Sequence, residues 1–560
     1  MNQTIIIVGA GLAGLSAALT AAEKEYQVVL LSSMPSERAQ SVMAEGGINA
    51  SLNTKGESDS TEEHYRDTME AGAWLADPNA VAGLVEAAPG IVRHLAALGV
   101  LFNLDDKGEI DLRNFGGQKK KRTAFAMSST GKQVMTALIQ EVRRYEAQGL
   151  IMRHCDHAFV SLIMNGENKC VGCVALHNRT QEMLSFRGDA VILAAGGMNG
   201  LFGNTTGSLQ NTGTVTAELF RLGVPLANGE FIQYHPTTAE FSGKHLLISE
   251  AARGEGGRLF IYRAGQPYYF MEEKYPEMGN LMPRDIVSRE IRNICSSPDG
   301  SEKVYLDLTE LPADVMEKKL GDLAEDCKIY LHTDLRKKPI PVTPGIHYFM
   351  GGIQVDEWHR TVFPNLYAAG ECCCQYHGAN RLGGNSMLGA IYGGAVAAGS
   401  AIQEMSAECS VLEFEICRGQ AMNDIWQRIE ALRSGARHIP LPSLWLQLHR
   451  ILNNSLGIVR DEALLQSGLD ALDLLITEKV AGNYDDTCGL YENLNMGSLY
   501  LLGKATLMSA YNRRESRGAH YRSDYPKRND EAFRKTTVAR YDGGRISVGL
   551  EDIPERRCTP

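Results

Sequence analysis

Apolar and polar positions along this chain fall into blocks that mark strands and helices in a definite order. Thr4 to Val8 is a short β-branched run, followed by Gly9-Ala10-Gly11-Leu12-Ala13-Gly14 and then by the alanine-rich stretch Leu15 to Glu23. A short apolar run bounded by glycine reads as a buried strand, and an alanine-rich run reads as helix. A second apolar run, Val28 to Leu31, completes a strand-helix-strand unit, whose parallel strands have both faces covered and predict an α/β sheet. Ala190 to Ala195 runs into Gly196-Gly197, and Asn365 to Ala369 runs into Gly370-Glu371. Together these put three glycine-marked strand ends toward one ligand.

Between Phe231 and Thr343 the glycine-strand-helix rhythm stops and short mixed elements rich in aromatic and charged residues take over. From Gln403 to Leu475 helix formers dominate. At 560 residues the chain exceeds what one hydrophobic core supports. The expected division is a discontinuous nucleotide-binding domain of residues 1–230 and 344–402, an inserted α+β capping domain of 231–343, a helical domain of 403–510, and a polar, irregular C-terminal segment of 511–560 that wraps over the surface.

Composition narrows the function classes. With 44% hydrophobic residues, 22% charged residues and no run of eighteen uncharged apolar residues, no bilayer span and no direct membrane insertion are expected. A formal charge of −11 argues against a nucleic-acid surface, and the basic run Lys119 to Arg122 reads as a solvated loop. Strand-forming residues beginning at Thr4 leave no room for a secretory leader, so a cytoplasmic location with free thiols is expected for the twelve cysteines. Cys170 and Cys173 form a CxxC inside a strand pattern with no second ligand pair, and Cys372, Cys373 and Cys374 lack iron-sulfur spacing, so no metal is expected.

Gly9, Gly11 and Gly14 form a GxGxxG fingerprint in the strand-turn-helix setting that gives it a physical purpose: backbone amides and a helix dipole meet a pyrophosphate. The acid expected about 20 residues on to hold a ribose is absent. The second strand ends instead in Ser32-Ser33, which offers hydroxyls.

The fingerprint does not separate NAD from FAD; other motifs do. AEGGINA from residue 44, NFGGQKKKRTAFA from 114, YHPT from 234, SEAARGEGG from 249, MPRD from 282, HYFMGGI from 347, HGANRLGGNS from 377 and RRESRGAH from 513 occur in order. In these the chain resembles the flavoprotein subunits of fumarate reductase and succinate dehydrogenase along nearly its full length, and L-aspartate oxidase more distantly. The resemblance implies a Rossmann-like FAD-binding domain with the inserted capping domain and the helical C-terminal domain. It implies FAD contacts from Gly9, Ala10, Gly11, Gly14 and Ser32, from Gln40, Ser41, Glu45, Gly46 and Gly47, from Ala195, Gly196 and Thr214, and from Gly370, Glu371, Asn385, Ser386 and Met387. Glu371 is expected to hold ribityl or ribose hydroxyls, with Ser386 and Met387 beside the isoalloxazine. Two positions depart from the family: Gln40 replaces the histidine bonded covalently to the flavin in membrane-bound relatives, and Thr214 replaces an aspartate. Glutamine cannot form that bond, so FAD is expected to be held non-covalently.

A C4-dicarboxylate needs cationic or hydrogen-bonding groups at both ends, because an unpaired buried carboxylate is very costly. By resemblance, His235, His347 and Arg381 clamp it, Ser249 adds a hydroxyl where the family has threonine, and Phe115 covers the pocket. Arg284, in the PRD motif, is expected to deliver the proton that accompanies hydride transfer, with Glu250 and Arg253 as its relay. Arginine is an unusual general acid, since its pKa lies above about 12.

Two alternatives stand beside this reading. L-aspartate oxidase shares the HPT, PRD, HY and ANR landmarks and also lacks the covalent histidine, whereas Arg113 to Ala126 resembles the dicarboxylate enzymes more closely. Reduction of another unsaturated acid suits the paired histidines and Arg381 less well. The missing covalent bond favours fumarate reduction over succinate oxidation. The implied partners are an iron-sulfur subunit and a membrane-anchor subunit, which would hold the chain at the cytoplasmic face of the cell membrane.

Overall fold

The computed structural model describes residues 3–241, 244–297, 302–405, 409–435, 437–482 and 489–557. The strand Thr4–Val8 lies in the middle of a parallel five-stranded sheet, between Gln27–Leu31 and Ala190–Leu193, with Leu366–Ala368 and Ile151–His154 at the edges. Ile5, Ile6 and Ile7 are all fully buried, as a parallel strand covered on both faces requires. The helix Leu12–Glu23 returns across one face and packs on the helix Asn385–Glu404. Small residues permit that approach: a Cβ on Gly394 would stand 2.1 Å from the Ala13 carbonyl oxygen. The expected α/β class is observed.

The chain leaves this sheet by Ile232–Phe241 and returns by Ile340–Phe349, which pair antiparallel in a six-stranded sheet with Lys244–Leu247, Val304–Asp307, Arg258–Arg263 and Gln266–Tyr268. Register breaks flank this pairing at Gln233/Tyr234 and His235/Thr238. Such bulges re-aim side chains, and this one lies beside the cavity described below. Ile340–Phe349 runs through the boundary expected at 343/344, so His347 is carried on a strand of this second sheet.

The helices Val411–Gly435, Leu441–Ser455, Glu462–Thr477 and Leu490–Asn512 follow between residues 411 and 512. Leu444, Leu448 and Leu452 repeat at helical spacing and meet Leu465, Leu469 and Leu472 in one core.

Two expectations are corrected. The C-terminal segment is not a polar wrap: Arg513, Glu515, Arg517 and His520 are buried, and the hairpin Lys535–Asp542 with Arg545–Asp552 adds to the edge of Leu226–Ala227. Charged residues go inside here because each finds a counter-charge or carbonyl, as Arg513 does with Glu230 at 2.6 Å. The basic run is a solvated loop only in part: the Lys119 and Lys121 side chains are exposed, and Arg122 is not. Arg122 is fully buried against Asp59 and Asp67 at 2.9 and 3.0 Å, and Lys119 donates to Glu70 at 2.7 Å.

The helix Pro78–Ala97 reaches the length and hydropathy of a membrane span, with a mean hydropathy of 1.2. Its apolar residues Val81, Leu84, Val85, Ala88, Val92 and Leu95 are buried in the protein, so its apolar stripe is already occupied.

Candidate active site

A cavity of about 620 Å³ runs from the first glycine turn, between the two sheets, to the bulged strand. At the first end lie Gly9, Ala10, Gly11, Ser32, Ala195, Gly196 and Thr214; in the middle lie Gln40, Ser41, Glu45, Gly46, Gly47, Gly370, Glu371, Ser386 and Met387. Gly9 has φ +111°, and a Cβ there would stand 2.2 Å from the Ala194 carbonyl oxygen, so only glycine makes this turn.

The walls fit a dinucleotide. The helices Leu12–Glu23 and Asn385–Glu404 both begin on glycines, without a side-chain cap and without an acidic residue in the first turn. Both therefore present free amides and a positive dipole end to the cavity, which suits phosphate and carbonyl oxygens. Glu371 accepts a hydrogen bond from the Phe349 amide at 3.1 Å through one oxygen. Its other oxygen has no hydrogen bond among the described residues and can accept from a hydroxyl. Ser32 spends its hydroxyl proton on the Met34 carbonyl at 2.7 Å and is left an acceptor toward the cavity. Gln40 accepts from the Ser208 amide at 2.5 Å, which fixes its side chain at the wall. Thr214 is paired with the Tyr491 hydroxyl at 3.0 Å and receives a hydrogen bond from Thr212 at 3.2 Å.

Three of the expected residues stand behind the wall. Gly14 serves packing, since a Cβ there would lie 1.8 Å from the Gly9 carbonyl oxygen. Asn385 accepts from Asn49 at 2.8 Å, meets His64 at 3.0 Å and donates to Thr68 at 3.0 Å, tying the start of its helix to the 49–68 region. Arg253 is reached only through Glu250.

At the far end the cavity is lined by Phe115, His235, Ser249, Glu250, Arg284, His347 and Arg381. The His235 and His347 rings are 5.1 Å apart. His235 is anchored through Nδ1 at the Thr237 carbonyl, 3.0 Å away, and His347 through Nδ1 at the Thr206 hydroxyl, 2.8 Å away, which leaves both Nε2 edges free. Burial first, and the Arg284 cation next, hold both imidazoles well below their ordinary value, so both are neutral at pH 7.

Arg284 donates to one Glu250 oxygen from Nε at 2.9 Å and from Nη2 at 2.6 Å, and to Gln233 from Nη1 at 3.0 Å. Arg253 donates to the other Glu250 oxygen at 2.9 Å and to the Asn280 carbonyl at 2.6 Å. The expected relay residues thus form one unbroken hydrogen-bonded chain, with Glu250 and Arg253 on a single helical turn. Burial raises the Glu250 carboxyl, but Arg284 and Arg253 outweigh it and hold it below its ordinary value. Room for this carboxylate comes from glycine: a Cβ on Gly116 would stand 2.7 Å from Glu250 Oε1, and one on Gly383 2.9 Å from Oε2. Phe115 is buried beside Gly46, and Ser249 lines the cavity with its hydroxyl oxygen accepting from the Ala251 amide at 3.4 Å.

Sequence reasoning missed Gln233, Tyr348 and Tyr491. Gln233 accepts from Arg284 and donates to Asn380 and to the Arg381 carbonyl, each at 2.8 Å, so it ties both arginines together. Its one signal was its place just ahead of YHPT. Tyr491 comes from the helical half of the chain, and no local signal pointed to it.

Burial raises Glu45 to about 8, with Asp326 adding to it, and raises Glu371 to about 7. Both lie above the ordinary 4.5, so the folded flavin-free chain holds these protons more tightly than the unfolded chain. Their stabilising contribution is complete below pH 4.5 and is lost as pH rises through about 7 and then about 8. The melting temperature of the flavin-free protein should therefore fall across this window, and Glu371→Gln should flatten the fall near pH 7. An unchanged slope in that variant would reject the assignment.

Comparison with known proteins agrees with this geometry. Residues 4–387 match a family model described as an FAD binding domain, and residues 445–558 match one described as the fumarate reductase flavoprotein C-terminus. The chain is 41% identical to the succinate dehydrogenase flavoprotein subunit of Bacillus subtilis, over 96% of this chain and 94% of the relative. It is 34% identical to the fumarate reductase flavoprotein subunit of Mycobacterium tuberculosis, over 100% and 98%. Among solved structures, quinol fumarate reductase from E. coli superposes with a TM-score of 0.90 at 29% identity, covering 100% of this chain and 98% of that one.

Proposed function

The chain belongs to the fumarate reductase and succinate dehydrogenase flavoprotein family of FAD-dependent oxidoreductases, and from this premise we propose that it interconverts fumarate and succinate at a non-covalently held FAD, favouring fumarate reduction. The observation that carries this reading is Arg381: it is only 3% exposed, and among the described residues no carboxylate lies within 4.0 Å of it. An uncompensated buried cation at a cavity wall calls for an anion from outside the protein.

A dicarboxylate supplies two. One carboxylate meets Arg381, and His347 and His235, neutral and anchored at Nδ1, turn their Nε2 edges toward the same end of the cavity. FAD, when bound, supplies or takes the hydride. Arg284 is fixed on two sides by Glu250 and Gln233, so its guanidinium is positioned without further reorganisation. A proton leaving Arg284 is replaced through Glu250 from Arg253, along hydrogen bonds of 2.6 and 2.9 Å. Restoration within the same network is what allows a group of such high pKa to act as an acid. Phe115 keeps water from this end.

The L-aspartate oxidase alternative is not favoured, because the two relatives described above are a succinate dehydrogenase and a fumarate reductase flavoprotein subunit. The proposal includes an iron-sulfur subunit as electron partner and a membrane anchor beyond it, which places the chain at the cytoplasmic face of the membrane.

Gln40 at the cavity wall supports both the non-covalent flavin and the direction. Acid precipitation of the holoprotein should release all of its flavin. Reduced methyl viologen should be oxidised with fumarate faster than succinate is oxidised with an artificial acceptor. Flavin retained in the pellet, or faster succinate oxidation, would overturn the corresponding half of the reading; peroxide formed with L-aspartate would reopen the oxidase alternative.

A further inference from the structure

The other buried arginines of this protein donate to carboxylates, as Arg122, Arg284 and Arg513 do, or to backbone carbonyls, as Arg113 and Arg460 do. Arg381 does neither. Among the described residues its guanidinium makes no hydrogen bond and no ion pair, and its Nε is buried without a partner. What it does meet is the face of Tyr348, with the guanidinium carbon 4.3 Å from the ring centroid. Tyr348 is itself buried and lines the cavity, and its hydroxyl is paired with His377 Nε2 at 3.2 Å. The two rings stand edge to face, with centroids 5.2 Å apart, so the phenol is held by a contact on its far side.

We propose that Tyr348, held by His377, is a positioning residue for Arg381: its ring face stands where a protein carboxylate would otherwise stand, and leaves the guanidinium donors to the substrate. The physical reason is one of competition. A carboxylate partner would stabilise the cation but would occupy the fork and cancel the charge that attracts a dicarboxylate. A ring face attracts the cation through its quadrupole, accepts no N–H in the guanidinium plane, and does so most strongly where water is excluded. Gln233 completes the arrangement from the backbone side: it meets Arg381 only at the carbonyl and accepts from Arg284 instead.

The charged and titratable groups that act on Arg381 and its neighbours are Arg284, Arg253, Glu371, Glu250, Tyr348, His377, the His235–His347 pair and, on Tyr348, the thiols of Cys372 and Cys373. Burial, followed by Arg284, pushes Arg381 down to about 9, against the opposing pull of Tyr348, Glu371 and Glu250. Dicarboxylate binding should therefore be present below this value and lost as pH rises through it. Removing the ring moves that alkaline limit to lower pH.

This inference rests on the dicarboxylate reading, and calorimetric titration of the FAD-loaded protein with succinate across pH 6.5–9.5 separates the two. Tyr348→Phe keeps the ring and should bind within about threefold of the unmodified protein. Tyr348→Leu should weaken binding about tenfold to thirtyfold, with its alkaline limit at lower pH. Flavin content checks folding, and Tyr348→Met, closer in length, replaces the leucine variant if that fails to hold FAD. Leucine or methionine variants that bind like the unmodified protein at every pH would overturn the inference. So would a phenylalanine variant as weak as they are. An unmodified protein that does not bind succinate would sink the dicarboxylate reading and this inference with it.

Discussion

Arg284→Ala should lower turnover with fumarate by on the order of 10³-fold or more while FAD remains bound. Arg284 and Glu250 line the cavity while Arg253 stands behind it, and of the two lining residues Arg284 is the one that carries N–H protons. Its removal takes away the proposed proton donor and leaves Glu250 as a buried carboxylate held by Arg253 alone. Arg284→Lys should recover little, because an ammonium cannot reproduce the paired Nε and Nη2 contacts at 2.9 and 2.6 Å or reach Gln233 as well. Succinate binding, measured separately, should fall much less than turnover, since Arg381 and the histidines remain. That split distinguishes a proton donor from a binding residue. A loss below tenfold, or a loss that appears wholly in binding, would reject the role.

Glu515→Ala should cost about 3–5 kcal/mol of stability. Glu515 is fully buried and accepts from Arg513 at 2.9 Å, from Arg517 at 2.6 and 2.9 Å and from the Asn529 amide at 2.8 Å. Without it, the two buried guanidiniums keep Glu230 and Asp530 as their counter-charges, and a backbone donor is orphaned. Arg360→Ala, which breaks exposed pairs with Asp356 and Glu404, should cost no more than about 1 kcal/mol. Urea unfolding of the holoprotein, followed by flavin fluorescence, compares the two. Equal shifts would show that the C-terminal network contributes no more than a surface pair.

Much of the site was legible in the chain because its chemistry is local. A strand, a glycine turn and a helix within twenty residues make a phosphate cradle wherever they occur, and Glu250 and Arg253 share a turn because they are three residues apart. The errors came where the deciding partner was far away. Arg122 reads as surface charge until Asp59 and Asp67 are folded against it from a helix and loop more than fifty residues earlier. The RRESRGAH segment reads as polar coil until Glu230, nearly three hundred residues before it, supplies the counter-charge.

The same distinction separates what the sequence by itself determined from what only the tertiary structure decided. Hydrophobic period and glycine placement determined the α/β class and the dinucleotide cradle, because these follow from contacts between neighbours in the chain, whereas the other cavity residues were identified through the resemblance of ordered motifs. Which cations are neutralised and which are left free was decided by the fold. Arg284 and Arg381 are equally charged in the sequence, yet one is docked on Glu250 and the other lies over the face of Tyr348 with its donors unused. In a low-dielectric interior the charge a group presents to a ligand depends on what lies within a few ångströms of it, and distance in space is not written along the chain.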